Sequence, residues 1–235
     1  KEFEKSNSYL LHVARDDKRM AAVKDALTFF APDIPVKIFP SWDCLPYDRL
    51  SPNSGISSRR LSLLTDLAQN ASSKYIILTT VNAATQRIPN RLVLSSATFQ
   101  AEVGQRIDLD QLYSFFSKMG FSKNSTVSEP GDYAVRGGII DIFPPGEAGP
   151  IRLDLFGDIL DGVRKFDPIT QRTVSKMRDI RLAPASEVFL DEASITRFRK
   201  NYRKEFGASH SNDTLYESVS AGNKYQGVEH WLPFF

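Results

Sequence analysis

Three residues in the middle of the chain have the types and spacing that grip another macromolecule. They lie in the stretch from Tyr133 to Thr173, YAVRGGIIDIFPPGEAGPIRLDLFGDILDGVRKFDPITQRT. Arg136 ends one short apolar run just before Gly137-Gly138, Arg152 opens another, and Phe156 closes it. If Gly138 to Phe143 and Ile151 to Phe156 pair through the Pro144-Pro145-Gly146 turn, the three come close enough to share one surface. Strand alternation then sets Arg152, Asp154 and Phe156 on one face and Ile151, Leu153 and Leu155 on the apolar, core-facing one. A planar guanidinium offers bidentate hydrogen bonds, and an aromatic ring buries much area at small entropic cost. That chemistry is recognition, with no bond made or broken. The same residues admit a second arrangement, in which Phe156 packs under a helix or loop and the arginines are solvated or paired with Asp141 and Asp154.

Other chemistries find little support. No G-x-x-x-x-G-K-[ST] occurs, and no G-x-G-x-x-G follows a strand, so neither ATP on a P-loop nor any other cofactor is expected. His12 sits in an apolar run, His210 in a polar loop and His230 beside Trp231. None belongs to a motif with serine, cysteine or metal-ligand spacing, so they read as satisfied core or surface histidines. The carboxylate pairs Asp154/Asp158 and Asp158/Asp161 fall in strand-and-turn sequence, where solvent-facing positions are expected instead of an acid/base or magnesium pair. No catalytic or metal-binding residue is assigned. Cys44 is the single cysteine; it forms no internal disulfide and points to a reducing, cytoplasmic setting.

The elements that must position these residues fall into three segments. Over residues 1–90, apolar runs at Tyr9 to Ala14, Val36 to Phe39 and Tyr75 to Val81 alternate with two helical patterns. One helix is capped by Asp16 or Asp17 and runs to Phe30, with Met20, Val23, Leu27 and Phe30 on one face. The other spans Ser57 to Ala68, with Leu61, Leu64, Leu67 and Ala68 inward. This spacing predicts a parallel α/β layer with helices on its faces. Over residues 91–185, Leu92 to Val103 reads as strand material and Asp108 to Met119 as a capped helix stopped by Gly120. Four short strands then meander through Tyr133–Arg136, Gly138–Phe143, Ile151–Phe156 and Ile159–Phe166, giving a separate α+β domain. Over residues 186–235, helices return: Asp191 caps one to Phe206, and a second spans about Asp213 to Ala221.

Composition bounds the rest. With 235 residues, 41% hydrophobic and 25% charged, the chain has room for two domains with buried cores. A net charge of +2 gives no broad attraction to polyanions. No apolar run approaches a membrane span, and the N-terminus shows no signal peptide. The abrupt start at Lys1 and the apolar end Trp231-Leu-Pro-Phe-Phe235 suggest a piece of a longer protein whose tail packs on its own chain.

YAVRGGIIDIFPPG followed by IRLDLFGDILDGVRKFDPITQRT resembles the second domain shared by the bacterial transcription-repair coupling factors (Mfd) and the excision-repair protein UvrB. LPYDRLSPNSGISSRRLSLLTDL resembles the matching first-domain segment, and EVFLDEASITRFRKNYRKEFG with GVEHWLPFF resembles the coupling factors' continuation. Only Asn53-Ser54-Gly55 separates Ser51-Pro52 from the next helix, leaving no room for UvrB's DNA-clamping hairpin, so the coupling-factor family is the better match. The resemblance implies a first domain with a degenerate, motor-like fold lacking the P-loop, into which the α+β domain is inserted. It also implies a non-catalytic adaptor that recruits UvrA to RNA polymerase stalled at DNA damage, with Arg136, Arg152 and Phe156 as contact residues. RNA polymerase, DNA and an ATP-driven translocase belong to other modules of such proteins, and a C-terminal autoinhibitory domain masks the UvrA surface. A DNA-binding or motor fragment is the alternative, resting on the basic helix face Arg197 to Lys204 and the Arg59-Arg60 pair.

Overall fold

A three-stranded parallel sheet begins the chain in a computed structural model that describes residues 9–45, 48–69, 74–207 and 213–235; His210 lies outside them. The strands β1 (Leu10–Ala14), β2 (Val36–Phe39) and β3 (Ile76–Thr80) are arranged β1-β3-β2. The central strand is buried along its whole length, as a strand covered on both faces must be. Helix α1 (Asp17–Phe30), capped by Asp16, packs Met20, Val23 and Leu27 against one face. Phe30 departs from the expected inward face: it is exposed at the helix end, edge-on to Phe29. Helix α2 (Ser54–Ala68) covers the other face with Leu63 and Leu67. It starts three residues before the expected Ser57, because the Asn53 side chain accepts a hydrogen bond from the Gly55 N–H and caps it there.

After the short helix α3 (Val81–Thr85), the stretch from Leu92 to Val103 corrects the reading of its sequence as strand throughout. Asn90 accepts from the Leu92 N–H and starts helix α4 (Arg91–Ser96), whose Leu94 packs on α2; strand β4 runs only from Phe99 to Glu102. A side-chain cap at Asn90 outweighs the β-propensity of Leu-Val-Leu.

The middle of the chain builds a second core. Helix α5 (Leu109–Lys118), capped by Asp108, lies against a six-stranded sheet made of β5 (Ser122–Lys123), β6 (Asp132–Arg136), β7 (Ile139–Ile142), β8 (Ile151–Phe156), β9 (Ile159–Phe166) and β10 (Thr173–Met177) in reverse spatial order. All neighbours pair antiparallel except β5 and β6. β11 (Asp179–Leu182) pairs with β4 and closes the layer. Leu112, Phe116, Ile140, Ile142, Leu153 and Leu160 fill the space between.

The chain then returns through residues 183–190 to helix α6 (Glu192–Phe206), capped by Asp191, and helix α7 (Thr214–Ser220). A 3-10 segment, Val228–Phe234, lays Trp231, Leu232 and Phe234 on the cluster around Phe198 and Tyr202. Phe206, at the helix end, stacks on Phe234 and keeps about half its surface exposed.

Where the return segment meets α2, two charges are sealed from solvent. Arg60 and Glu187 are 0% and 1% exposed at their side chains. Arg60 gives Nε to Glu187 Oε1 at 2.5 Å and Nη2 to Oε2 at 3.1 Å, while Nη1 serves Pro40 O at 2.8 Å and Gln86 Oε1 at 2.9 Å. The guanidinium lies 4.3 Å from the Phe39 ring centre, and the Trp42 indole N–H donates to Glu187 at 3.1 Å. The same segment is seated on α5 by the Ala185 and Ser186 N–H groups, both bonded to Met119 O. Gly120 is required there: its φ is +79°, and an added Cβ would stand 2.4 Å from the Ser186 Cβ.

Arg60→Ala is expected to lower the unfolding free energy by about 3 to 5 kcal/mol, because it strands a buried carboxylate. Arg60→Met with Glu187→Leu should recover most of that loss in the same urea titration. Equal destabilisation by both would show that the pair is not what sets the cost.

Candidate docking surface

The two faces of the six-stranded sheet do different work. On β8, Ile151 and Leu153 are buried in the core and Leu155 packs partly on it. Arg152, Asp154 and Phe156 point to the outer face, as the period of two requires. Cross-strand register extends that outer face: Asp141 lies opposite Arg152 and Ala134, Ile139 opposite Asp154 and Arg136, and Ile159 opposite Phe156.

Arg136 and Arg152 converge on one carboxylate. Asp141 is 1% exposed; it accepts from Arg152 Nε at 2.6 Å and Arg152 Nη2 at 2.9 Å, and from Arg136 Nη2 at 2.8 Å. Arg152 is largely covered, at 19% exposure: its guanidinium lies 4.5 Å from the Phe166 ring centre, and Nη2 also reaches Gln171 Oε1 at 2.9 Å. Hydrogen bonding to Asp141 is the main reason Arg152 keeps its proton more firmly than an ordinary arginine; burial opposes this, and Coulomb attraction from Asp141 and Asp154 adds to it. Arg136 remains 53% exposed.

Phe156 is 80% exposed at the end of β8, next to the exposed Ile159. Glycines bring this end of β8 to the turn that carries Arg136. Gly137 turns the chain at φ +59°, and an added Cβ on Gly138 would meet the Leu155 carbonyl at 2.7 Å, where Leu155 N–H bonds Gly138 O. Of the two arrangements open from sequence, the structure takes a part of each: the arginines pair with Asp141, while the ring stays uncovered.

Several of the remaining candidates have structural partners. Asp154 pairs with Arg164 at 2.6 Å, and Asp158 with Arg106. Arg60, half of the basic pair offered for DNA, is sealed in the interior, and Arg59 donates to Gly55 O. On the basic face of α6, Arg197 donates to Phe235 O and Arg199 to Ser220 O, while Arg203 lies over Tyr216. Cys44 has a partner that spacing did not reveal, His230 Nε2 at 3.6 Å. Burial, and then the charges of Asp43, Glu229 and Asp48, push the Cys44 thiol up and keep it protonated. His12 is half-buried within β1. Among the described residues, no cluster of three or more His, Cys, Asp or Glu side chains is placed to hold a metal ion, and no helix is long and apolar enough to cross a membrane.

Sequence reasoning named Asp141 only as a possible partner and missed Gln171. Asp141 left a signal, a carboxylate on the face of β7 opposite Arg152. Gln171 left none, since its reach depends on a left-handed backbone, φ 58°, in the β9 to β10 loop.

Residues 99–188 match the family model of the UvrB interaction domain, and that span contains Arg136, Asp141, Arg152 and Phe156. The chain is 36% identical over 235 residues to the transcription-repair-coupling factor of Haemophilus influenzae, covering 100% of this chain and 20% of that protein. It is 34% identical over 223 residues to that of Escherichia coli and 32% over 230 residues to that of Rickettsia prowazekii, covering 95% and 98% of this chain. The chain thus spans about a fifth of the length of these curated relatives.

Exposure fixes what the central ring does for stability. Phe156→Ala is expected to change the unfolding free energy by under about 0.5 kcal/mol. Phe116→Ala, in the core of the same domain, should cost about 3 to 5 kcal/mol. Urea denaturation of both variants checks this; a large loss for Phe156→Ala would mean that the ring is structural.

Proposed function

Since the chain carries a UvrB interaction domain and belongs, over its whole length, with one segment of the transcription-repair-coupling factor family, we propose that it is a non-catalytic adaptor that docks UvrA. The carrying observation is the open Phe156 ring, which among the described residues stacks on no other ring, near the half-exposed Arg136 and inside the matched domain. Large exposed aromatics flanked by arginine are the residue types that dominate binding energy at interfaces. In this reading Arg136, Arg152 and Phe156 form the contact, and the module brings UvrA to RNA polymerase stalled at DNA damage.

The first layer fits a degenerate, motor-like fold: a parallel sheet with helices on both faces, in a sequence with no P-loop motif. It serves as scaffold, needs no cofactor, and works in the cytoplasm. RNA polymerase binding, DNA translocation driven by ATP and the C-terminal domain that masks the UvrA surface are assigned to other parts of the parent protein. The burial of Arg60 and the bonding of Arg197 and Arg199 to backbone carbonyls leave the DNA-binding alternative with the weaker support.

Titration of purified UvrA with this chain tests the adaptor reading. Arg136→Ala, Arg152→Ala and Phe156→Ala should each weaken binding by about 1 to 3 kcal/mol. Wild-type affinity in all three variants would sink the interface. ATP turnover by the isolated chain, or duplex binding that falls steeply with salt, would favour the motor reading instead.

A further inference from the structure

We propose that Asp141 is the positioning residue of the docking surface, holding the Arg136 guanidinium in its binding geometry through a carboxylate shared with Arg152. This rests on the adaptor reading above. Asp141 is sealed from solvent on a sheet face that is otherwise partly open, and a buried carboxylate is tolerated only when it is paired and hydrogen-bonded. Arg152 alone supplies that pairing, since its two bonds engage both carboxylate oxygens. The bond from Arg136 Nη2 to Oδ2 therefore exceeds what neutralising Asp141 requires.

What that third bond does is restrain Arg136. An arginine at the end of a strand beside a glycine turn has many rotamers, and a partner must freeze one of them on binding. The bond to a rigid acceptor selects one in advance. Asp141 is rigid because Arg152 is itself clamped by Phe166 beneath it and by Gln171 beside it. Arg136 spends one N–H group on this restraint and, being half exposed and making no other side-chain hydrogen bond among the described residues, can still donate to a partner. One carboxylate faces two guanidiniums here, so the group retains a positive charge while its geometry is fixed.

A double-mutant cycle separates positioning from a merely structural role. UvrA is titrated with wild type, Asp141→Asn, Arg136→Ala and Phe156→Ala, and with Asp141→Asn combined with each of the other two. Asp141→Asn should weaken binding about fivefold to fiftyfold alone and in the Phe156→Ala background, and at least about threefold less in the Arg136→Ala background, where only its hold on Arg152 is left to lose. Equal losses in both backgrounds, or no loss from Asp141→Asn alone, overturn the proposal. If thermal melting shows Asp141→Asn unfolded, Asp141→Glu, which keeps the charge but moves it by one methylene, takes its place in the same cycle. Wild-type chain that fails to bind UvrA brings down the adaptor reading and this proposal with it. Weakening by Phe156→Ala with no effect at Asp141 brings down this proposal alone.

Discussion

Two charges with no access to water, Arg60 and Glu187, join parts of the chain that are 127 residues apart. Removing such ions from solvent costs several kcal/mol each unless the geometry repays it. Here four hydrogen bonds, a facing phenyl ring and the Trp42 indole supply the repayment. The arrangement is satisfied only when α2, the loops after β2 and α3, and the return segment before α6 are all in place. Against well-packed apolar residues of similar volume such a pair gains little net stability. Against either partner left alone it is decisive, and so it fixes where the chain returns from the antiparallel layer to α2.

That fixed exit has consequences at the far face of the domain. Residues 185 and 186 bond to the end of α5, and α5 packs on the inner face of the six-stranded sheet through Leu112 and Phe116. With one face committed to this core, the outer face carries what the core cannot hold. Asp141, Arg152, Asp154 and Arg164 neutralise one another there, and Arg136 and Phe156 occupy the end where β8 meets the β6 to β7 turn. The bulge between Asp154 and Leu155 in the pairing with β9 falls on the β9 side, where Asp161 is extra, so the alternation of β8 persists to Phe156. Its ring is left outward and exposed.

Much of this was legible residue by residue. Caps at Asp16, Asp108, Asp191 and Asp213 are local side-chain to backbone bonds, and each marks a helix start where the sequence places it. Glycine and proline punctuation set the strand limits of the meander to within a residue or two. Where the reading failed, a local signal was weaker than its rival. Asn90 capped a helix inside an apolar run that also suited a strand, and Phe30 fell at a helix end where the packing partner had already run out.

The sequence by itself determined the alternation that puts Arg152 and Phe156 on one face and the resemblance of its strands to one repair family, because these depend on neighbours in the chain. Only the tertiary structure decided the fate of each charge. It buried Arg60 against Glu187, gave Cys44 a histidine from the other end of the chain, and divided the arginines into one clamped by Asp141, Gln171 and Phe166 and one left half open. Whether a charged side chain is an anchor, a support or a contact depends on which distant atoms exclude water from it, and that is set by packing.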